Sequence, residues 1–159
     1  MTQSEIFAGI LKSITPADSK TALLARKKLD SLTKPQGSLG ILEICAEKYA
    51  SARADINAKI ANPTILTFAG DHGVAEEGVS AFPQEVTTQM LANFANGGAA
   101  INVLARHVGA QLKVIDIGVK GDCLSPKIIN RKIARGTANF AKTPAMTDDQ
   151  CLSALLVGA

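Results

Sequence analysis

Residues 64–74 read TILTFAGDHGV. Thr64 to Ala69 is a short, nearly continuous apolar run that passes through Gly70 straight into the polar pair Asp71-His72. Asn62-Pro63 bounds it in front and glycine behind, so the run predicts a strand rather than a helix. Its lack of polar alternation predicts burial on both faces, as in a parallel sheet covered by helices. Two readings of the tip stay open at this point. Asp71 and His72 either satisfy backbone groups where the strand ends, or they are chemistry placed at its mouth.

The flanking sequence supports an α/β unit. Leu112–Val119, LKVIDIGV, reads as a second strand that also ends in aspartate and glycine, and Lys127–Ala134, KIINRKIA, as a third. Between the first two lie a helix over 84–95, burying Val86, Met90, Leu91 and Phe94, and another over 99–108 closed by Gly109. Thr147 to Gln150 matches a capping box that opens a last helix. Strands alternating with helices in this way predict an α/β fold with a parallel sheet.

Upstream, residues 1–60 read as a helical part and 61–159 as the first half of the α/β domain. Ile6, Ile10, Leu11 and Ile14 follow helix spacing until Thr15-Pro16, and Ser19–Leu32 carries Leu23, Leu24 and Leu29 roughly on one side. After LTKPQGSLG (32–40), Ser38 is a candidate cap for a helix to about Arg53, with Leu42, Cys45, Ala46 and Tyr49 as its buried stripe. So few strands leave sheet edges without partners. The sheet is therefore expected to be incomplete in this chain, which reads as part of a larger α/β protein or as a subunit completed by another chain.

Composition narrows the function. The 159 residues are 47% apolar and 19% charged, which fits a globular fold, and the net charge of +3 is too mild to point to nucleic acid. Arg26-Lys27-Lys28 reads as a solvated helix face. Cys45, Cys123 and Cys151 lie far apart with no CxxC spacing, which argues against a disulfide framework or a zinc site. No membrane span or leader pattern is evident, and a cytoplasmic location is expected.

Ligands of open α/β sheets bind beyond the carboxyl ends of the strands, where both Asp71-His72 and Asp116–Gly118 fall. The glycine-rich loop over 70–83 is long enough to suggest function. GDHG is not a dinucleotide fingerprint, and neither a Walker pattern nor GxSxG occurs. Asn96-Gly97-Gly98 suits an anion, but a tight turn is the preferred reading. Glu76-Glu77 reads as solvated and His107 as structural. Patterning thus points to a small-molecule site near residues 70–90 without naming a reaction.

Several motifs in order go further. KPQGSLG (34–40), FAGDHGVAEEGVSAFPQEVT (68–87), QMLANFANGGAAINVLAR (89–106), VIDIGV (114–119) and RKIARGTANFAKTPAMT (131–147) together resemble the nicotinate-nucleotide–dimethylbenzimidazole phosphoribosyltransferase family. The resemblance implies a Rossmann-like α/β domain with a smaller helical part, a homodimer, and no metal or organic cofactor. It implies transfer of phosphoribose from nicotinate mononucleotide to dimethylbenzimidazole, giving α-ribazole phosphate and nicotinate in assembly of the cobalamin lower ligand. Asp71 and His72 are then expected at the floor of the site. The 80–83 loop and the helix carrying Gln89 and Met90 are expected to line the benzimidazole pocket. Phe82 and Met90 would offer apolar surface to the ring, and Ser80 or Gln89 a hydrogen bond to a ring nitrogen. No catalytic residue is assigned. Family members are longer, and their second half holds a glycine-rich phosphate-binding segment and the glutamate taken as general base. Neither has a counterpart here, so the chain alone is expected to be inactive and to pair with a missing C-terminal half. The alternatives are a non-catalytic benzimidazole-binding or assembly module completed by another chain, and an unrelated α/β enzyme using Asp71-His72 as acid and base.

Overall fold

The computed structural model describes residues 1–159. They divide into two units, one of Leu11–Ala61 and one of Asn62–Ala159 with Met1–Ile10. In the larger unit β1 (Thr64–Gly70), β2 (Gln111–Gly118) and β3 (Ile128–Asn130) form an open sheet in that order, with every pair parallel. The expected α/β class and parallel sheet are both present. Of the third strand expected over 127–134, only three residues pair as a strand. Arg131 and Ile133 still donate their N–H groups to the carbonyls of Asp116 and Ile117.

Two helices cover one face. They are α4 (Glu85–Asn96) and α5 (Ala100–His107), which lie between β1 and β2 in the chain. Leu91 and Ala95 of α4 meet Val114, Val119 and Ile128 in the core, with Ala69, Phe94, Leu112 and Cys123 packed around them. Gly97 ends α4 at φ +78, a backbone region glycine enters without a Cβ penalty. Ala99 has no side-chain acceptor to open α5, and Asn102 reaches back instead, its Oδ1 accepting the Ala99 N–H at 3.2 Å.

The opposite face corrects the expectation for β1. Burial alternates along the strand, and Leu66 and Phe68 remain 51% and 43% exposed. These side chains share a face with Lys113 and Ile115 across the register, while Ile65, Thr67 and Ala69 point to the α4–α5 side. On the exposed side Phe68 approaches α6 (Asp148–Gly158) at its last turn, near Gly158. An apolar strand reads as doubly buried only if both faces are covered, and on this face Ile115 is buried while Leu66 and Phe68 are not.

The capping box at α6 is real. Thr147 Oγ1 accepts the Gln150 N–H at 3.2 Å and Gln150 Oε1 accepts the Thr147 N–H at 2.9 Å. Asp148 and Asp149 fill the first turn, where the helix dipole favours negative charge. Thr147→Ala is expected to destabilise this helix by about 1 kcal/mol. The readout is faster amide exchange at Gln150 with unchanged exchange in β2. Near the start of the chain, α1 (Gln3–Ser13) meets α6 through Ser153, whose hydroxyl donates to Gln3 Oε1 at 3.1 Å.

The smaller unit packs α2 (Ser19–Asp30) on α3 (Ile41–Arg53). Asp18 caps α2 by accepting the N–H groups of Lys20 and Thr21. The buried faces are Thr21 and Ala25 on α2 and Glu43, Ala50 and Ser51 on α3. This overturns the expected stripes. Leu23, Leu24 and Leu42 are exposed, as are Cys45 and Ala46, and Leu29 and Tyr49 are half-buried. Ser38 does not cap α3 either; Gly40 takes that position at φ +56 without a side-chain bond. The reason is Glu43, only 2% exposed. It pairs with Lys34 at 2.8 Å and Arg26 at 3.1 Å, and accepts the Leu39 N–H at 3.2 Å. Turning the helix to satisfy this carboxylate sets the apolar side chains outward. No helix of the protein is long and apolar enough to cross a membrane.

Candidate functional site

The site is built where β1 outruns β2. Ala69 pairs with Asp116 but Gly70 with Gly118, so the register slips by a residue at the strand tip. Such a bulge re-aims the residues beyond it. Asp71 donates its N–H to the Gly118 carbonyl at 3.0 Å and accepts the Thr137 N–H at 3.0 Å on its own carbonyl. His72 then bridges Thr137 in parallel, and Gly73 donates back to the Thr137 carbonyl at 3.1 Å. The segment around Thr137 thus takes the place beside β1 that β2 has vacated.

Asp71 is 4% exposed, and its Oδ2 accepts the Lys120 N–H at 2.7 Å. The carboxylate therefore caps the turn after β2. Asp116, the acid at the other strand end, is used structurally. It accepts the Val119 N–H at 2.9 Å and pairs with Lys132 at 3.3 Å. Lys132 also reaches Asp122, whose carboxyl is held below its ordinary range chiefly by the hydrogen bond from Arg135 and secondly by that from Lys132.

Two hollows flank the tip, and Gly70, Asp71 and His72 line both. One, of about 130 Å³, lies toward Ile117, Met146 and Ala154. The other, of about 520 Å³, is walled on one side by Asp71, His72, Val74 and Ala75 and on the other by Ser80, Phe82, Gln84 and Thr87. Its size suits a small organic molecule. Val74 and Ala75 sit on a short 3-10 helix, Gly73–Glu77, inside the stretch read as loop.

Of the residues singled out from the sequence, Asp71, His72, Ser80 and Phe82 come together around this cavity. Ser80 spends its hydroxyl locally, donating to the Phe82 carbonyl at 2.8 Å and accepting the Phe82 N–H at 3.2 Å. Gln89 and Met90 lie further along α4, exposed and outside the lining. Val86 and Thr87 are the α4 residues that reach the cavity, because successive positions on a helix turn by about 100°. Sequence reasoning missed Gln84 and Phe140, both in the wall. Gln84 carried a faint signal, following Pro83 at a helix start. Phe140 carried none, since only tertiary folding brings it here. No three His, Cys, Asp or Glu side chains gather to hold a metal ion.

A family model described as phosphoribosyltransferase matches residues 14–159. The chain belongs to that phosphoribosyltransferase family. It is 50% identical over 155 residues to the nicotinate-nucleotide–dimethylbenzimidazole phosphoribosyltransferase of Citrifermentans bemidjiense, covering 97% of this chain and 44% of that one. The enzyme of the same name from Geobacter sulfurreducens is 52% identical over 149 residues, covering 93% and 42%. A crystal structure of the Thermus thermophilus enzyme superposes with a TM-score of 0.81 at 43% identity, covering 89% of this chain and 43% of that one. The resemblance read from the motifs is borne out, and the chain spans less than half the length of these family relatives.

Proposed function

We propose that this chain forms the base-binding portion of a phosphoribosyltransferase acting on nicotinate mononucleotide and dimethylbenzimidazole. In that reaction a benzimidazole nitrogen attacks the anomeric carbon of the phosphoribosyl group, nicotinate leaves, and α-ribazole phosphate forms. The observation that carries the reading is the 520 Å³ cavity at the β1 tip, with Phe82 and Phe140 offering aromatic surface and Asp71 and His72 in its lining. A flat heteroaromatic base matches that lining.

The role given to this chain is binding rather than catalysis. By resemblance, the phosphate-binding segment and the general-base glutamate belong to sequence that this chain does not carry. Loss of a general base typically costs about 10²–10⁴-fold in rate. The chain then acts with that second portion, and a homodimer of the completed unit is the expected assembly. Three free cysteines fit a reducing, cytoplasmic setting. The exposed Leu66 and Phe68 also favour a second reading, a non-catalytic module that docks on another chain.

Calorimetric titration tests the assignment. Dimethylbenzimidazole is expected to bind and nicotinate mononucleotide to bind far more weakly. Asp71→Ala, which removes the acceptor for the Lys120 N–H, is expected to weaken base binding about tenfold. Absence of base binding by the intact chain sinks the proposal. Product formed by the chain alone refutes the binding-only role.

A further inference from the structure

Gln84 stands just before α4, in the position where side chains usually cap their own helix. Its side chain makes no cap bond. It turns back to the strand tip instead, where Nε2 donates to the His72 carbonyl at 2.7 Å, both residues lining the cavity. The amide oxygen faces the Lys120 ammonium at 3.5 Å. That arrangement orients the amide, with its oxygen toward the cation and its nitrogen toward the carbonyl. Lys120 is itself anchored to the tip, because its own N–H donates to Asp71.

We propose that Gln84 is a positioning residue that sets the width of the cavity by tying the α4 wall to the strand-tip wall. The inference rests on the reading of this cavity as the base site. Residues 79–83 are exposed, and their hydrogen bonds stay within their own turn or reach only the first turn of α4. The 3-10 helix side is secured elsewhere, by Gly73 on Thr137 and by Glu77 on Asn139 at 2.6 Å. Ser80 and Phe82 have no such anchor. Their placement opposite Asp71 and His72 depends on where α4 begins, and the Gln84 amide is the direct hydrogen bond between that start and the tip. An ordinary structural amide would be dispensable for ligand affinity; a spacer between two walls of a binding cavity is not.

Gln84→Met keeps the length of the side chain and removes both polar ends. Gln84→Glu keeps the partner for Lys120 and loses the donor to His72. Both are expected to weaken dimethylbenzimidazole binding by about 3–10-fold, the scale of one lost hydrogen bond. Both are also expected to speed exchange of the Phe82 amide, which Ser80 Oγ accepts at 3.2 Å, with exchange in β2 and the thermal midpoint nearly unchanged. A folded variant with wild-type affinity and wild-type exchange overturns the proposal. So does a uniform rise in exchange with a lowered midpoint, which marks a purely structural role. If the wild-type chain binds no base while the variants still speed exchange of the Phe82 amide, the tie stands and its role in base binding falls.

Discussion

Gly73→Ala is expected to lower the stability of the α/β unit by about 1–3 kcal/mol and to abolish ligand binding at the β1 tip. A Cβ at this position would lie 2.6 Å from the Ala138 carbonyl carbon and from the Asn139 nitrogen, and 2.7 Å from the Thr137 oxygen. All three are backbone atoms, so no rotamer change makes room. The segments must separate, and the Gly73–Thr137 bond and the His72–Thr137 bridge are lost with them. Gly136 shows the same constraint from the other strand of the crossing, at φ +85 and with a Cβ that would sit 3.2 Å from the Asp71 oxygen. Gly9 supplies the control. It lies in α1 with open space around it, so Gly9→Ala is expected to be neutral or stabilising by about 0.5–1 kcal/mol. Urea unfolding alongside base titration checks both. Wild-type stability and affinity in Gly73→Ala would show that the two segments need not approach so closely.

Glu43→Ala is expected to be the most damaging substitution in the smaller unit. It leaves Lys34, Arg26 and the Leu39 N–H facing a side chain that no longer accepts. Removing one partner of a buried pair costs more than the pair contributes, since the remaining charge stays desolvated. The thermal midpoint is expected to drop by roughly 5 °C or more. The 34–40 loop should lose its conformation, because Glu43 is what joins its first residue to its Leu39 amide. The pH dependence has a definite sign. The Lys34 hydrogen bond, then the Leu39 N–H, hold the Glu43 carboxyl below its ordinary range against the opposing effect of burial. Asp18 is lowered likewise, first by the Thr21 hydroxyl. Their contribution is therefore complete above the ordinary carboxyl range, about 4, and is lost as pH falls through the lowered folded values. Circular dichroism of wild type and Glu43→Gln across acid pH checks this. The wild type should converge on the variant at low pH, and parallel curves at every pH would remove Glu43 from the account.

Local signals were legible wherever one segment decides its own structure. The apolar run from Thr64 formed a strand, and the Thr147–Gln150 pattern formed its capping box. The order of strands and helices placed Asp71-His72 at a carboxyl end beside a cavity. Errors fell where the partner of a face had to be guessed. In α3 the apolar stripe over Leu42 and Cys45 obeyed helical spacing and still turned outward. No window on the sequence shows that Lys34 and Arg26 converge on Glu43 from two other segments.

What the sequence alone determined, then, was the class of fold, the family and the strand end beside which the cavity lies, because periodicity, caps and motif order are properties of neighbouring residues. The tertiary structure alone decided which faces are covered, that Phe140 and Gln84 join the cavity wall, and that Glu43 lies inside. Those outcomes depend on contacts between residues far apart in the chain, where the need to satisfy a buried charge or to pass two backbones at close range outweighs local preference.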